Sequence, residues 1–232
     1  MTGRPPGTFE SRSVRTTVAD AHGAPFPELV RREVWFIEPT DAALVLGSAQ
    51  RLSTVDLGEV ARRGLRVVRR RSGGGAVVVE PGSSTWFDVW LPGDDPLFEH
   101  DVSLSAHWLG QVMVEALDRV GVAAQRVTTD PAGGSAERSR WAPLVCFAGA
   151  SGGEVLLDGR KAVGISQRRT RAGARFQVNV LHHFDAEATA SLFALDPADR
   201  QDLADHLDRS VAAVPVERSA VQEAIGEVLS TR

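Results

Sequence analysis

The stretch Arg69-Arg70-Arg71-Ser72-Gly73-Gly74-Gly75-Ala76-Val77 decides how this chain is interpreted. Apolar runs at residues 65–68 and 76–79 flank it and are typical of two strands, which makes the three glycines a turn between them. Because glycine has no Cβ atom, a ligand can lie directly against the backbone N–H groups of such a turn, and the arginines would attract an anion. A plain tight turn is the competing interpretation.

A second motif, Gly159-Arg160-Lys161-Ala162-Val163-Gly164-Ile165-Ser166-Gln167-Arg168-Arg169, follows further along the chain. Lys161 is the only lysine, since every other of the 26 basic residues is arginine. In this background we expect Lys161 to be required as a compact ammonium; a chance surface lysine is the alternative. Lys161, Gly164 and Ser166 are expected to line a pocket for an anionic or carbonyl-bearing ligand, where the glycine permits close approach.

Composition narrows the class of protein. With 43% hydrophobic residues, the 232-residue chain can bury one sizeable core. It has no apolar run long enough to cross a bilayer and no signal-peptide core, so we expect a cytoplasmic protein without a membrane partner. Arginines cluster at 62–71 and 168–175, which indicates an anionic ligand, an acidic partner or a solvated basic face. Without interleaved aromatic residues, they do not favour nucleic acid.

Hydrophobic periodicity predicts the elements of the fold. Residues 1–30 contain scattered prolines and no apolar periodicity, so we predict an irregular leader. Strands are predicted at 34–37, 43–46, 65–68, 76–79, 85–91, 144–147, 154–157, 162–165 and 176–182, and helices at 55–63, 102–120, 186–195, 197–207 and 216–229, with a long loop at 123–139. This order predicts an α+β fold with a largely antiparallel sheet flanked by helices.

The two motifs and the approach Leu44-Val45-Leu46-Gly47-Ser48-Ala49-Gln50 resemble the catalytic domain of the biotin/lipoate protein ligase family over residues 33–183. The resemblance implies a class II biotin ligase/lipoate ligase-like fold, with residues 31–232 as a single catalytic domain. It also implies that Lys161 contacts the carbonyl or phosphate of the substrate. The residues implied to cradle the acyl chain and its activated carboxyl end are Arg70, Arg71, Ser72, Gly73, Gly74, Gly75 and Ala76.

The activity that the resemblance implies is that of a lipoate-protein ligase. ATP and Mg would convert lipoate or octanoate into an acyl-adenylate, and the acyl group would pass to a lysine of a lipoyl domain. Replacing Lys161 with Ala should then abolish turnover with little loss of fold. The C-terminal segment is shorter than the accessory domain of many ligases, which implies a separate partner or a transferase.

Cys146 supports an alternative mechanism. The Cys146-Phe147 pair resembles that of octanoyltransferases, in which a cysteine takes octanoate from octanoyl-acyl carrier protein as a thioester and no cofactor is used. A small buried hydrophobe is the other interpretation of this cysteine. A non-catalytic acyl- or biotin-binding module is a further alternative. The adjacent His182 and His183 would point to opposite faces of a strand, so we expect no catalytic metal.

Overall fold

The computed structural model describes residues 8–28, 31–128 and 139–232. Its strands are β1 (Glu10–Thr16), β2 (Glu33–Pro39), β3 (Ala43–Leu46), β4 (Arg66–Arg69), β5 (Val77–Val79), β6 (Ser84–Pro92), β7 (Gln125–Arg126), β8 (Val155–Leu157), β9 (Arg160–Thr170) and β10 (Gly173–Leu181). Its helices are α1 (Val18–Gly23), α2 (Leu57–Arg62), α3 (His107–Arg119), α4 (Ala186–Ser191), α5 (Pro197–Ser210) and α6 (Arg218–Ser230).

Two sheets organise the described residues. The larger sheet has the strand order β1-β2-β6-β10-β9-β8-β7, and the smaller one has the order β4-β3-β5. In the larger sheet only β1 and β2 pair in parallel, whereas the other neighbouring strands are antiparallel. The α+β fold with a largely antiparallel sheet is therefore confirmed.

The core is divided between the faces of these sheets. Helices α3 and α6 cover one face of the larger sheet, with residues such as Met113 and Ile225 fully buried against it. Helices α4 and α5 pack against the smaller sheet together with residues 141–148. Residues of helix α1 and Trp86 form another hydrophobic cluster against the smaller sheet. The space between the two sheets is thus enclosed on several sides.

The prediction of an irregular leader over residues 1–30 is wrong for its described part. Glu10–Thr16 forms β1 along the edge of the larger sheet, and α1 follows, with the Thr17 side chain accepting a hydrogen bond from the Asp20 N–H. Most β1 side chains are exposed, so the strand carries no apolar periodicity from which to predict it. Residues 1–7 and 29–30 lie outside the described part.

Three other predicted elements differ in detail. The strand predicted at 144–147 is absent: Val145 makes an isolated bridge to Ala76, and Cys146–Ala148 forms a 3-10 turn. The helix predicted from residue 102 begins at His107. The loop predicted at 123–139 contains the short strand β7, and its residues 129–138 lie outside the described part.

A buried ion pair crosses from β10 to β6. The side chain of Arg175 is 4% exposed and that of Asp88 is fully buried, with an N–O distance of 2.5 Å. Arg175 also donates a hydrogen bond to the carbonyl oxygen of Ala21 at 2.7 Å. The guanidinium therefore ties α1 to the larger sheet, and its charge is balanced by Asp88.

We expect Arg175→Met to lower the free energy of unfolding by about 3–5 kcal/mol, because the Asp88 carboxylate would remain buried without an opposite charge. Urea denaturation measures this difference. The double variant R175M/D88L, which removes both charges, should be the more stable of the two. Equal stabilities for the single and double variants would contradict this account of the pair.

Candidate active site

Residues 70–76, here called the glycine loop, connect β4 to β5. Gly74 has a φ of +94°, which favours glycine. A Cβ atom at Gly75 would lie 2.5 Å from the carbonyl carbon of Val145, closer than atoms can approach. The glycines therefore permit both the turn and the contact with the segment that carries Cys146.

Arg70 supports the glycine loop from inside the protein. It is 5% exposed, and its Nη2 donates hydrogen bonds to the carbonyl oxygens of Gly73 at 2.8 Å and Gly75 at 2.9 Å. The carbonyl oxygen of Gly74 faces Gly47. Among the described residues, no acceptor binds the N–H groups of Gly73, Gly74 or Gly75. The loop thus holds its carbonyl groups against protein, while the N–H groups without an acceptor belong to two exposed glycines, Gly73 and Gly74, and to the buried Gly75.

Cys146 is attached to the end of the glycine loop by backbone hydrogen bonds. The Ala76 N–H donates to the Leu144 carbonyl at 2.9 Å, and the Cys146 N–H donates to the Ala76 carbonyl at 2.8 Å. Gln50 strengthens this junction, because its amide accepts from the Gly47 N–H and donates to the Leu144 carbonyl. These bonds fix the cysteine, which is half-buried, beside the glycines.

Lys161 holds the residues that follow Cys146. The side chain is 3% exposed, and its Nζ lies 2.8 Å from Oε1 of Glu154. The same nitrogen donates to the carbonyl oxygens of Cys146 at 2.8 Å and Gly149 at 3.0 Å. An ammonium has three N–H donors, and these three acceptors use all of them. Lys161 therefore acts on the backbone of Cys146 in this structure.

A cavity lies between the two sheets. Of the residues expected from the sequence, Arg70, Cys146, Gly164 and Ser166 line it. The Ser72 hydroxyl lies 3.2 Å from that of Ser166. The residues that sequence reasoning did not single out for the lining are His22, Val77, Val79, Trp86, Phe147, Gln177, Val178 and Asn179.

The other expected residues, among them Lys161, are not part of the lining of this cavity. Nζ of Lys161 lies 5.0 Å from the ring centroid of Phe147. Arg71 is exposed. Gly75 and Ala76 pack against the segment of Cys146, while Gly73 and Gly74 are exposed. Alternation along β10 could have indicated a common face for Gln177 and Asn179. No sequence signal marked His22, which falls in the predicted leader.

Burial keeps His22 neutral. Its ring stacks on Trp86 with a centroid distance of 4.8 Å, and its Nδ1 lies 3.1 Å from the amide nitrogen of Gln177. Burial, reinforced by the nearby positive charges of Arg175 and Arg70, lowers the pKa of His22 from 6.5 to about 3. The imidazole is therefore an uncharged hydrogen-bonding group near neutral pH.

The family model of the lipoyl protein ligase A/B catalytic domain matches residues 22–224. The chain belongs to this family. Two similar proteins are octanoyltransferases LipM. That of Kyrpidia tusciae is 29% identical over 198 residues, which cover 79% of this chain and 69% of the relative. That of Brevibacillus brevis is 25% identical over 167 residues, which cover 72% of this chain and 58% of the relative.

Solved structures of this family share the fold. A bi-partite lipoate protein ligase from Thermoplasma acidophilum, described together with its E2 lipoyl domain, superposes with a TM-score of 0.72 and 18% identity, covering 98% of this chain and 84% of that chain. A lipoate-protein ligase A bound with ATP gives a TM-score of 0.66 at 17% identity, covering 98% of this chain and 85% of that chain.

The resemblance inferred from the sequence is confirmed, as is the class of enzyme, acyl transfer in protein lipoylation. No helix within the described residues could span a membrane.

The structure changes what we expect of Lys161→Ala. Removing the ammonium leaves Glu154, which is 4% exposed, without its opposite charge, so we expect a loss of about 3–5 kcal/mol in the free energy of unfolding. Urea denaturation measures it. The matched double variant K161M/E154Q should recover part of this stability. If K161A proves as stable as the parent protein, the ion pair does not hold residues 146–149.

A second prediction concerns the pH dependence of stability. The unfolded chain binds a proton at His22 below pH 6.5, whereas the folded protein does so only near pH 3. The contribution of His22 to the free energy of unfolding is therefore complete above pH 6.5 and decreases as the pH falls. Lowering the pH from 7 to 5 should cost about 2 kcal/mol through this group. Urea denaturation of the parent and H22F proteins measures it. A parallel pH dependence in the two would contradict this.

Proposed function

We propose that this protein transfers an eight-carbon acyl group to a lysine of a lipoyl domain, with Cys146 as the intermediate carrier. The observation that supports this most directly is the position of the cysteine. Cys146 lines the cavity between the sheets and is hydrogen-bonded through its backbone to the glycine loop. These backbone hydrogen bonds fix the position of the cysteine relative to the cavity.

The proposed reaction has two acyl-transfer steps. The Cys146 sulfur, having lost its proton, attacks the carbonyl carbon of a thioester donor such as octanoyl-acyl carrier protein. A new C–S bond forms, the donor's C–S bond breaks, and the donor thiol leaves with a proton. The amine of the acceptor lysine then attacks the Cys146 thioester, an amide forms, and the cysteine regains its thiol. This route needs no cofactor.

The glycine loop suits these steps electrostatically. Negative charge develops on the carbonyl oxygen at each attack, and preorganised backbone N–H groups stabilise such an oxyanion. The N–H groups of Gly73, Gly74 and Gly75 have no acceptor among the described residues. Lys161 contributes by positioning, since it binds the carbonyl oxygen of Cys146 and so fixes the backbone of the nucleophile.

Related proteins support both the reaction and the acceptor. The two similar sequences are named octanoyltransferases, and a protein with the same fold is a lipoate protein ligase described together with its E2 lipoyl domain. The mechanism needs Cys146 as a thiol, which a reducing compartment such as the cytoplasm preserves. The proposed partners are thus a lipoyl domain and an acyl carrier protein.

ATP-dependent ligation is the second candidate. The N–H groups of the glycine loop could bind a phosphate or carboxylate, and a similar structure was solved with ATP bound. Lys161 fits this role less well, because Glu154, Cys146 and Gly149 already accept its three N–H groups. If Lys161 were to bind the acyl-adenylate, its ammonium would have to leave a buried ion pair. The same route would require Mg together with ATP.

The test is intact-mass analysis of an apo lipoyl domain incubated with this protein. One sample contains octanoyl-acyl carrier protein without ATP, and the other contains lipoate or octanoate with Mg-ATP. We expect the acyl mass on the lipoyl domain in the first sample. Modification only with ATP would establish the ligase instead, and ligand binding without product would indicate a non-catalytic binding module.

Cys146→Ser provides the control for the proposed intermediate. Since Cys146 is the only cysteine, a hydroxylamine-sensitive acyl mass on the protein can be assigned to it. We expect the substitution to remove this adduct and to reduce transfer at least a thousandfold, as losses of a nucleophile do. Undiminished transfer by C146S would exclude the cysteine mechanism.

A further inference from the structure

Two arginines near the cavity lack an acidic partner within the described part of the chain. Arg71, in the glycine loop, is exposed, and Arg168, near the end of β9, is half-buried. Neither side chain makes a hydrogen bond or an ion pair with a residue that the structure describes. By contrast, the neighbouring Arg175 is paired with Asp88. Arg71 and Arg168 can therefore bind an anion supplied from outside the chain.

The two arginines flank the contact between the glycine loop and β9. Side chains alternate along a strand, so Arg168 shares its face of β9 with Gly164 and Ser166, which line the cavity. The hydroxyl of Ser166 lies 3.2 Å from that of Ser72, the residue next to Arg71. One arginine thus lies on each side of this pair of serines.

The next residue along β9 supports this assignment of faces. The guanidinium of Arg169 lies 4.5 Å from the ring centroid of Phe98, and Phe98 packs against the core cluster formed with α3 and α6. Arg169 therefore lies on the helix-covered face of the larger sheet. Arg168, one residue earlier, lies on the opposite face, which the cavity shares.

The surroundings of Arg168 are positively charged. Burial, followed by the charges of Arg71 and Arg175, lowers the pKa of the Arg168 guanidinium. Asp88 balances Arg175, so the other two charges remain without a counter-charge among the described residues. Like charges held close together repel, and an anion between them would offset that repulsion. A guanidinium presents its donors as a planar fork that matches the oxygens of a phosphate or a carboxylate.

The position of these arginines along β9 favours a phosphate carried by the acyl donor. Lys161, which binds the carbonyl oxygen of Cys146, and Gly164, on which the Phe147 ring packs, mark the part of β9 beside the cysteine. Arg168 lies further along the strand, about 13 Å from Gly164 if the strand is extended. The reacting carbonyl group thus belongs at one end of this stretch and the anion at the other.

The pantetheine arm of an acyl carrier protein has an anion at a matching distance from its thioester. A phosphodiester joins the arm to the carrier, and the acyl group is attached to the thiol at the other end. Roughly a dozen bonds separate the phosphorus from the sulfur, and they extend over about 15 Å. An arm lying along β9 with its thioester at Cys146 would therefore place its phosphate beside Arg168.

We propose that Arg71 and Arg168 bind the phosphodiester of the donor's pantetheine arm, so that the arm lies along β9 and presents its thioester to Cys146. This inference rests on the proposed function, because it takes an acyl carrier protein as the donor. It assigns recognition of the donor to two arginines that the structure leaves free, whereas Arg70 binds carbonyl groups of the glycine loop.

Calorimetric binding to the full-length protein tests this without requiring turnover. The probe is an analogue of octanoyl-phosphopantetheine in which an amide replaces the thioester and a methyl ester makes the phosphate a diester. The comparison ligand is the same molecule without the phosphate. We expect the probe to bind at least about tenfold more tightly than the comparison ligand, the effect of one charge-assisted hydrogen bond. In R71Q/R168Q the two ligands should bind equally.

Three further variants make the test specific. Arg160→Gln removes an exposed positive charge at the opposite end of β9 and should keep the preference for the probe. Arg168→Lys keeps the charge without the planar fork, so it should keep only part of the preference. Arg71→Gln changes an exposed residue and should reduce the preference by itself, which provides a test if the double variant does not fold.

The proposal is overturned if the probe does not bind, if both ligands bind the parent protein equally, or if the preference survives in R71Q and in R71Q/R168Q. A parallel titration with ATP identifies the other source of phosphate. If the double variant weakens ATP binding as much as probe binding, the arginines form a nucleotide site and the assignment to the pantetheine arm fails. Failure of the proposed acyl transfer would appear instead as unmodified lipoyl domain in the mass analysis, so the two failures are distinguishable.

Discussion

The buried ammonium of Lys161 connects the elements on which the candidate site depends. It joins β9, on which it lies, to the carbonyl groups of Cys146 and Gly149 and to the carboxylate of Glu154. Glu154 in turn accepts hydrogen bonds from the N–H groups of Ser151 and Ile165. One ion pair thereby connects the irregular residues 146–149 to the regular sheet. A planar guanidinium could not occupy the same compact position.

The glycine loop applies a second constraint from the opposite side. Arg70 binds two of its carbonyl groups from within, and the absence of a Cβ atom at Gly75 allows the backbone to press against Val145. Cys146 is therefore held from both sides, by the glycine loop and by Lys161. In the mechanism that we propose, a nucleophile held in this way needs little reorganisation before it reacts, which is how a rigid site lowers an activation barrier.

Sequence patterns were most reliable where chemistry and local geometry coincide. The triple glycine, the single lysine and the Cys146-Phe147 pair were found because each is unusual in composition or spacing, and the antiparallel strands followed from their apolar runs. The patterns failed for β1, whose exposed side chains have no periodicity, and for residues 146–148, whose apolar character suits a strand although they form a turn. His22 was missed because it belongs to a six-residue helix in that unpatterned region.

The sequence by itself determined the family, the α+β fold and the residues available for chemistry, because these depend on residue types and their order along the chain. Only the tertiary structure decided which atoms face the cavity. Lys161 is turned toward backbone carbonyls, Arg70 toward the glycine loop, and His22 is brought from the N-terminal region onto Trp86. These orientations arise from contacts between residues far apart in the chain, and no local pattern encodes the direction in which a buried polar side chain finds its partners.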